Sequence, residues 1–161
     1  TSPPIKFRPA HGFELESAKV GDSEMQHLDF AHASGMLEDL VGEGRLYLTI
    51  RGRKYTPEFS FSVDGVQITQ KSVQTEVVAG YEGVGVVVLV EAKNTKVKDT
   101  IIRQLYYPYR KWAKETGKRV IPMFFEKNGD EYMFWMYEFI DPDDYNSIRL
   151  VRSRRYSLTS I

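Results

Sequence analysis

Apolar positions along this chain follow two periods, and the changes between them mark out its elements. Between residues 23 and 40, Met25, Leu28, Leu37 and Leu40 recur roughly at helical spacing. Ser23 with Gln26 three residues on resembles a capping box, and Gly42 and Gly44 stop the run, so a helix is expected there. RLYLTIRGRKY (45–55) and EFSFSVDGVQIT (58–69) alternate at period two instead, as half-buried strands do. Asp64-Gly65 between FSFSV and VQITQ is a hairpin signal. SVQTEVVAGYEG (72–83) reads as a further strand and leads through Gly83 and Gly85 into VVVLVEAKN (86–94). Five aliphatics there without alternation predict a strand covered on both faces. A second helix is expected from an Asp99 cap to Gly117, with Pro108 kinking or interrupting it. Residues 119–139 then read as two strands around Asn128-Gly129, and residues 141–161 as a turn with a final edge segment or tail. The order of helix, strands, buried strand, helix and strands predicts an α/β fold, a mixed sheet flanked by helices with the 86–91 strand at its centre.

That central strand ends in chemistry it does not need for packing. Side chains alternate along a strand, so Glu91 and Lys93 share one side while Ala92 turns away. A carboxylate and an ammonium at a strand end are either an ordinary ion pair or working groups, and the tripeptide alone leaves both open.

Composition narrows the classes. At 161 residues the chain fits one domain, with residues 1–21 as a Pro-rich leader or linker, 22–156 as the folded unit and 157–161 as a tail. The start, TSPPIKFRPA, lacks an initiator Met and suggests a piece of a longer protein with further domains. With 22 basic and 22 acidic residues no global field announces nucleic acid, so an anionic partner has to be met by local patches. The absence of cysteine removes disulfides, thiolate catalysis and cysteine zinc sites, and fits a reducing cytoplasm. No apolar run approaches the roughly 20 residues of a membrane span. His27 and His32 lie off a common helical face and His11 sits in the leader, so no histidine metal site is expected. GYEGVG has its glycines in the order GxxGxG and precedes a strand, which rejects a dinucleotide fingerprint.

Local basic patches are present. On the second helix Arg103, Tyr107, Arg110 and Lys114 fall on the stripe opposite Ile101, Leu105 and Trp112, which suits either solvent or a phosphate backbone. Arg51 and Arg53 lie two apart on a strand, and RLVRSRRY (149–156) is a second cluster. Gln104, at the boundary of the helix stripes, is placed to reach back toward the end of the central strand.

The order helix, hairpin, VQTEVVAGYEG, VVVLVEAKN and a helix bearing RQLYYPYRKW resembles the PD-(D/E)xK nuclease superfamily, and more narrowly the type II restriction endonuclease-like group, over roughly residues 23–156. The resemblance implies a restriction-endonuclease-like mixed central sheet flanked by helices. It also implies hydrolysis of phosphodiester bonds in double-stranded DNA with Mg2+ or Mn2+ held by hard oxygen ligands. Carried over, Glu91 and the Ala92 carbonyl are metal ligands, and Lys93 orients the attacking water or stabilises charge on the phosphate oxygens. Gln104 matches the glutamine of the following helix, and Glu24 an early-helix carboxylate. Asn94, Arg51, Arg53, Arg103, Tyr107, Arg110 and Lys114 are the expected DNA contacts.

One departure is decisive. Val78 stands where the group carries a metal-binding Asp, and valine cannot coordinate a metal. Glu76 and Glu82 lie on the same side of that strand as substitutes. Three accounts stay open: a nuclease with a displaced second ligand, a silent nuclease-like DNA-binding module, and a nuclease whose Asp has been substituted. Outside this lineage stands an interaction domain in which Glu91 and Lys93 merely pair. Cutting both strands of a palindrome would favour a two-fold homodimer.

Overall fold

The computed structural model describes residues 3–55, 59–70, 74–92 and 105–159, with the backbone alone at 52–55, 59, 70 and 74–78. Helix α1 (Glu24–Ser34) begins at the expected cap, where the Ser23 hydroxyl accepts the Gln26 N–H at 3.1 Å. The Gln26 side chain does not complete the box. Its amide donates to the Ala18 carbonyl at 3.2 Å and so ties a 3-10 turn, Glu16–Lys19, to the helix. The single helix expected over 23–40 is in fact two. Gly35, at φ 94°, ends α1 in the left-handed region, and the chain restarts as α2 (Met36–Val41). The turn lets Leu28 and Ala31 of α1 share one core with Met36, Leu37 and Leu40 of α2.

The strands are β1 (Ile5–Phe7), β2 (Tyr47–Tyr55), β3 (Phe59–Val63), β4 (Val66–Gln70), β5 (Gln74–Glu82), β6 (Val86–Ala92), β7 (Arg119–Asn128), β8 (Glu131–Phe139) and β9 (Ile148–Leu158), with α3 (Tyr106–Thr116) between β6 and β7. Seven of them form one mixed sheet in the order β1-β9-β8-β7-β6-β5-β2. The pairs β6–β7 and β1–β9 are parallel, and the others are antiparallel. The fold is therefore mixed α/β. Strand β6 is interior, one place from the middle, which β7 occupies. Pro122 in β7 is tolerated because β8 pairs with β7 only from Met123 onward, so the missing N–H falls where that ladder has not begun.

Both faces of β6 are buried for separate reasons. Val86, Val88, Val90 and Ala92 meet α1 and α2, while Val87 and Leu89 meet Leu105, Tyr106 and Tyr109 around α3. Each such aliphatic side chain contributes about 1.5–3 kcal/mol on burial.

The hairpin β3–β4 forms around Asp64 (φ 51°) and Gly65 (φ 81°) as expected, but it stands outside the main sheet. Phe61, 2% exposed, inserts into the α3 core, and Ser62 donates to the Asp143 carbonyl at 2.7 Å. The second hairpin turns on Gly129 and Asp130, one residue later than Asn128-Gly129, because Asn128 already pairs with Glu131.

The segment read as a leader supplies β1, which pairs with the end of β9 (Ile5 opposite Tyr156), and Phe7 meets the Tyr156 ring edge-on at 5.2 Å. Strand β9 runs on to Leu158, two residues past the boundary drawn at 156. Pro108 falls inside α3, the third residue of the helix. It lies in the first turn, where its missing N–H has no partner within the helix to lose. The Asp99 cap lies outside the described residues. Among the described residues no helix is long and apolar enough to cross a membrane.

Candidate functional site

Residues Val86 to Val90 are all buried, and Glu91 is the first residue of β6 with appreciable exposure, before Ala92 is buried again. By alternation Glu91 leaves the sheet on the face of Val87 and Leu89, the α3 face. On one side its strand pairs antiparallel with β5, with Ala79 opposite Val90 and Glu82 opposite Val87. One further step of that register leads to Val78 against Glu91. Glu76 follows two residues along, with Arg53 of β2 as its backbone partner on the other side. The side chains of Arg53, Glu76 and Val78 lie outside the described residues, as do Lys93, Asn94, Arg103 and Gln104 entirely.

Glu82 is not a substitute ligand. It stands four residues from Val78, about 13 Å along the strand, and its carboxylate pairs with Lys118 at 2.7 Å. Glu24 belongs to α1, whose Leu28 and Ala31 pack on the opposite face of the sheet from Glu91.

Several expected DNA contacts are engaged inside the fold. Arg51 pairs with Asp29 of α1 at 2.7 Å, tying β2 to that helix. Arg110 pairs with Asp143 and donates to the carbonyls of Pro142, at 2.7 Å, and Ser60, at 3.2 Å; its side chain is 21% exposed. Tyr107 packs edge-on to Phe61 and against Tyr145. Of the described members of that stripe only Lys114 is exposed. The cations of β9 are likewise held. Arg149 pairs with Glu138, Arg154 with Asp39 and Arg155 with Glu131, and Arg152 donates to the Leu40 carbonyl.

On its other side Glu91 is aligned with Phe124 of β7, and Phe124 with Trp135 of β8. The two rings meet edge-on at 5.9 Å. The sequence carried a signal for this row: counting outward from the Gly129-Asp130 turn pairs 124 with 135. Nearby, burial raises the Tyr106 hydroxyl to about 12 despite the pull of Arg110, so it remains a donor and binds the Pro142 carbonyl at 2.8 Å.

Glu91 offers a carboxylate and Ala92 a backbone carbonyl, hard oxygens of the kind that suit magnesium or manganese over softer metals. The acids on the neighbouring strand β5 are Glu76 and Glu82. Among the described residues no group of three or more His, Asp or Glu is gathered in a form that could hold a metal.

No curated protein and no solved structure matches this chain. A family profile described as a domain of unknown function, DUF6997, matches residues 5–157, and on the extent of that match the chain belongs to this family.

Proposed function

We propose that the domain is a PD-(D/E)xK-type endonuclease, of restriction-enzyme-like fold, that hydrolyses phosphodiester bonds of double-stranded DNA with Mg2+ or Mn2+. The observation that carries this reading is Glu91: the one partly exposed residue, and an acid, on an otherwise buried strand, flanked by an antiparallel strand on which the resemblance expects the second acid, at Val78. The order of helix, strands, β5, β6 and a following helix supports the resemblance to the PD-(D/E)xK superfamily, with α2 as an added element. In this reading Glu91 and the Ala92 carbonyl hold the ion, Glu76 replaces the acid missing at Val78, and Gln104 supports the pair. A bound divalent ion would supply charge neutralisation at the phosphate and a more acidic water. Lys93 orients that water or stabilises the charge on the phosphate oxygens, as the resemblance implies. Arg53, Asn94, Arg103 and Lys114 remain as DNA contacts, and a two-fold dimer would present two such sites to a palindrome.

Val78 favours a second reading, a non-catalytic DNA-binding module, because one carboxylate leaves a divalent ion poorly neutralised. Calorimetric magnesium titration beside plasmid cleavage separates the two. Under the first, the parent cuts and Glu91→Ala loses cleavage by orders of magnitude with an unchanged melting temperature. Val78→Asp should then raise both magnesium affinity and rate. A parent that binds DNA without metal or cleavage, before and after Val78→Asp, establishes the second. An early-melting Glu91→Ala that still cuts would reduce Glu91 to a structural ion-pair partner.

A further inference from the structure

A cleft of about 430 Å³ opens between the N-terminal segment, α1 and the β7–β8 hairpin. It lies on the sheet face opposite Glu91 but at the same end: Lys127, in its wall, follows Phe124, the partner of Glu91, by three residues. Four basic side chains line it, His11, Lys19, His27 and Lys127, together with one acid, Glu14. That acid is already committed, since Glu14 binds Lys19 at 2.8 Å.

His27 of α1 and Lys127 of β7, both half-buried, line the same cleft. Burial first, and then the Lys127 charge, push the His27 pKa below its ordinary value, while Asp22 pulls it up through its charge and a backbone hydrogen bond. Lys127 rests on the Tyr132 ring, 5.1 Å from its centroid, and donates to the Gly129 carbonyl. Burial raises Tyr132 to about 12, so its phenol brings no negative charge. His11 is held by the Phe13 carbonyl at 2.9 Å and the Ser34 hydroxyl at 3.1 Å. A protonated His27 and Lys127 repel each other, and an anion between them would turn that repulsion into attraction and favour the protonated ring.

We propose that this cleft binds a tetrahedral oxyanion of the phosphate class, held between Lys127 and His27. The phosphate can belong to a free small molecule or to a nucleic-acid backbone. The site does not depend on the cleavage reading, because it uses none of the residues around Glu91.

The test follows the His27 imidazole by NMR in the full chain, assigned with His27→Gln, at matched ionic strength in chloride, in inorganic sulfate and with a short DNA duplex. Sulfate carries two charges across the whole titration and stands in for phosphate. Binding should raise the His27 pKa by about one unit, and Lys127→Gln should abolish that rise. A rise with sulfate identifies a free-anion site, and a rise with the duplex alone identifies a backbone phosphate. An identical His27 titration in all three conditions, or a rise that survives Lys127→Gln, overturns the proposal whether or not the protein cleaves DNA.

Discussion

The two faces of the sheet are built differently. On the face of α1 and α2, Leu28, Leu37, Leu40, Val86, Val88 and Val90 make a mainly aliphatic core, much of it from two neighbouring helices, with rings such as Phe125, Phe134 and Tyr156 beside it. On the α3 face the core is richer in rings, with Phe61, Tyr106, Tyr109 and Phe139 packed among aliphatics and beside Tyr107 and Tyr145. Those rings come from segments far apart in the chain, including a hairpin outside the main sheet. Polar groups then do the fastening. Tyr106 binds Pro142, and Arg110 collects Pro142, Asp143 and Ser60. A cation that reads as a phosphate contact is thus a clamp, and Glu91 emerges on the face assembled from these separate pieces.

The largest expected effect breaks the aliphatic face. Leu37→Ala should lower global stability by about 2–5 kcal/mol, read from denaturant unfolding. Phe61→Ala tests the other face. If the hairpin is a locally attached flap, exchange of the β3–β4 amides should quicken far more than global unfolding shifts. A global loss as large as that of Leu37→Ala would mean that both faces unfold as one unit.

A smaller effect probes the tightest point of the α3 face. A Cβ added at Gly80 would lie 2.6 Å from Ile50 Cδ1 and 2.7 Å from its Cβ. Gly80→Ala should therefore cost about 1–3 kcal/mol by overpacking. Because the clash reaches the Ile50 Cβ itself, Ile50→Ala in the same chain should not restore the loss. Recovery would show that the β2–β5 pair can slide at this bulged register.

The smallest effect sharpens the comparison through pH. His27, on the α1 side, has a folded pKa below 6.5, so the folded state prefers the neutral ring. Its contribution is complete above pH 6.5 and is lost as pH falls through the lower folded value. Melting temperatures across that window should fall less in His27→Gln than in the parent. Equal slopes would remove His27 from the acid response.

The buried strand, both hairpins and the cap at Ser23 were legible because each rests on neighbouring residues. Burial of Glu91's strand on both faces follows from five aliphatics in a row, and the turn at Asp64-Gly65 from residues that accept positive φ. The pairing of β5 with β6 was legible from segment order. The fates of Arg51 and Arg110 were not, since a helical wheel shows which stripe a cation occupies but not what lies across from it.

The sequence by itself determined the local backbone: where strands run, where they turn and which residues face inward, because these depend on side-chain period and on the φ that a few residues allow. Only the tertiary structure decided that Gly35 divides a helix in two, that residues 5–7 add a strand beside Tyr156, and that the β3–β4 hairpin stands apart from the sheet. It also decided that Arg110 meets Ser60 and Asp143, fifty and thirty-three residues away. The physical reason is reach. A long charged side chain or an unpaired strand edge takes whichever partner the fold brings within a few ångströms, and that partner is set by contacts distant in the chain.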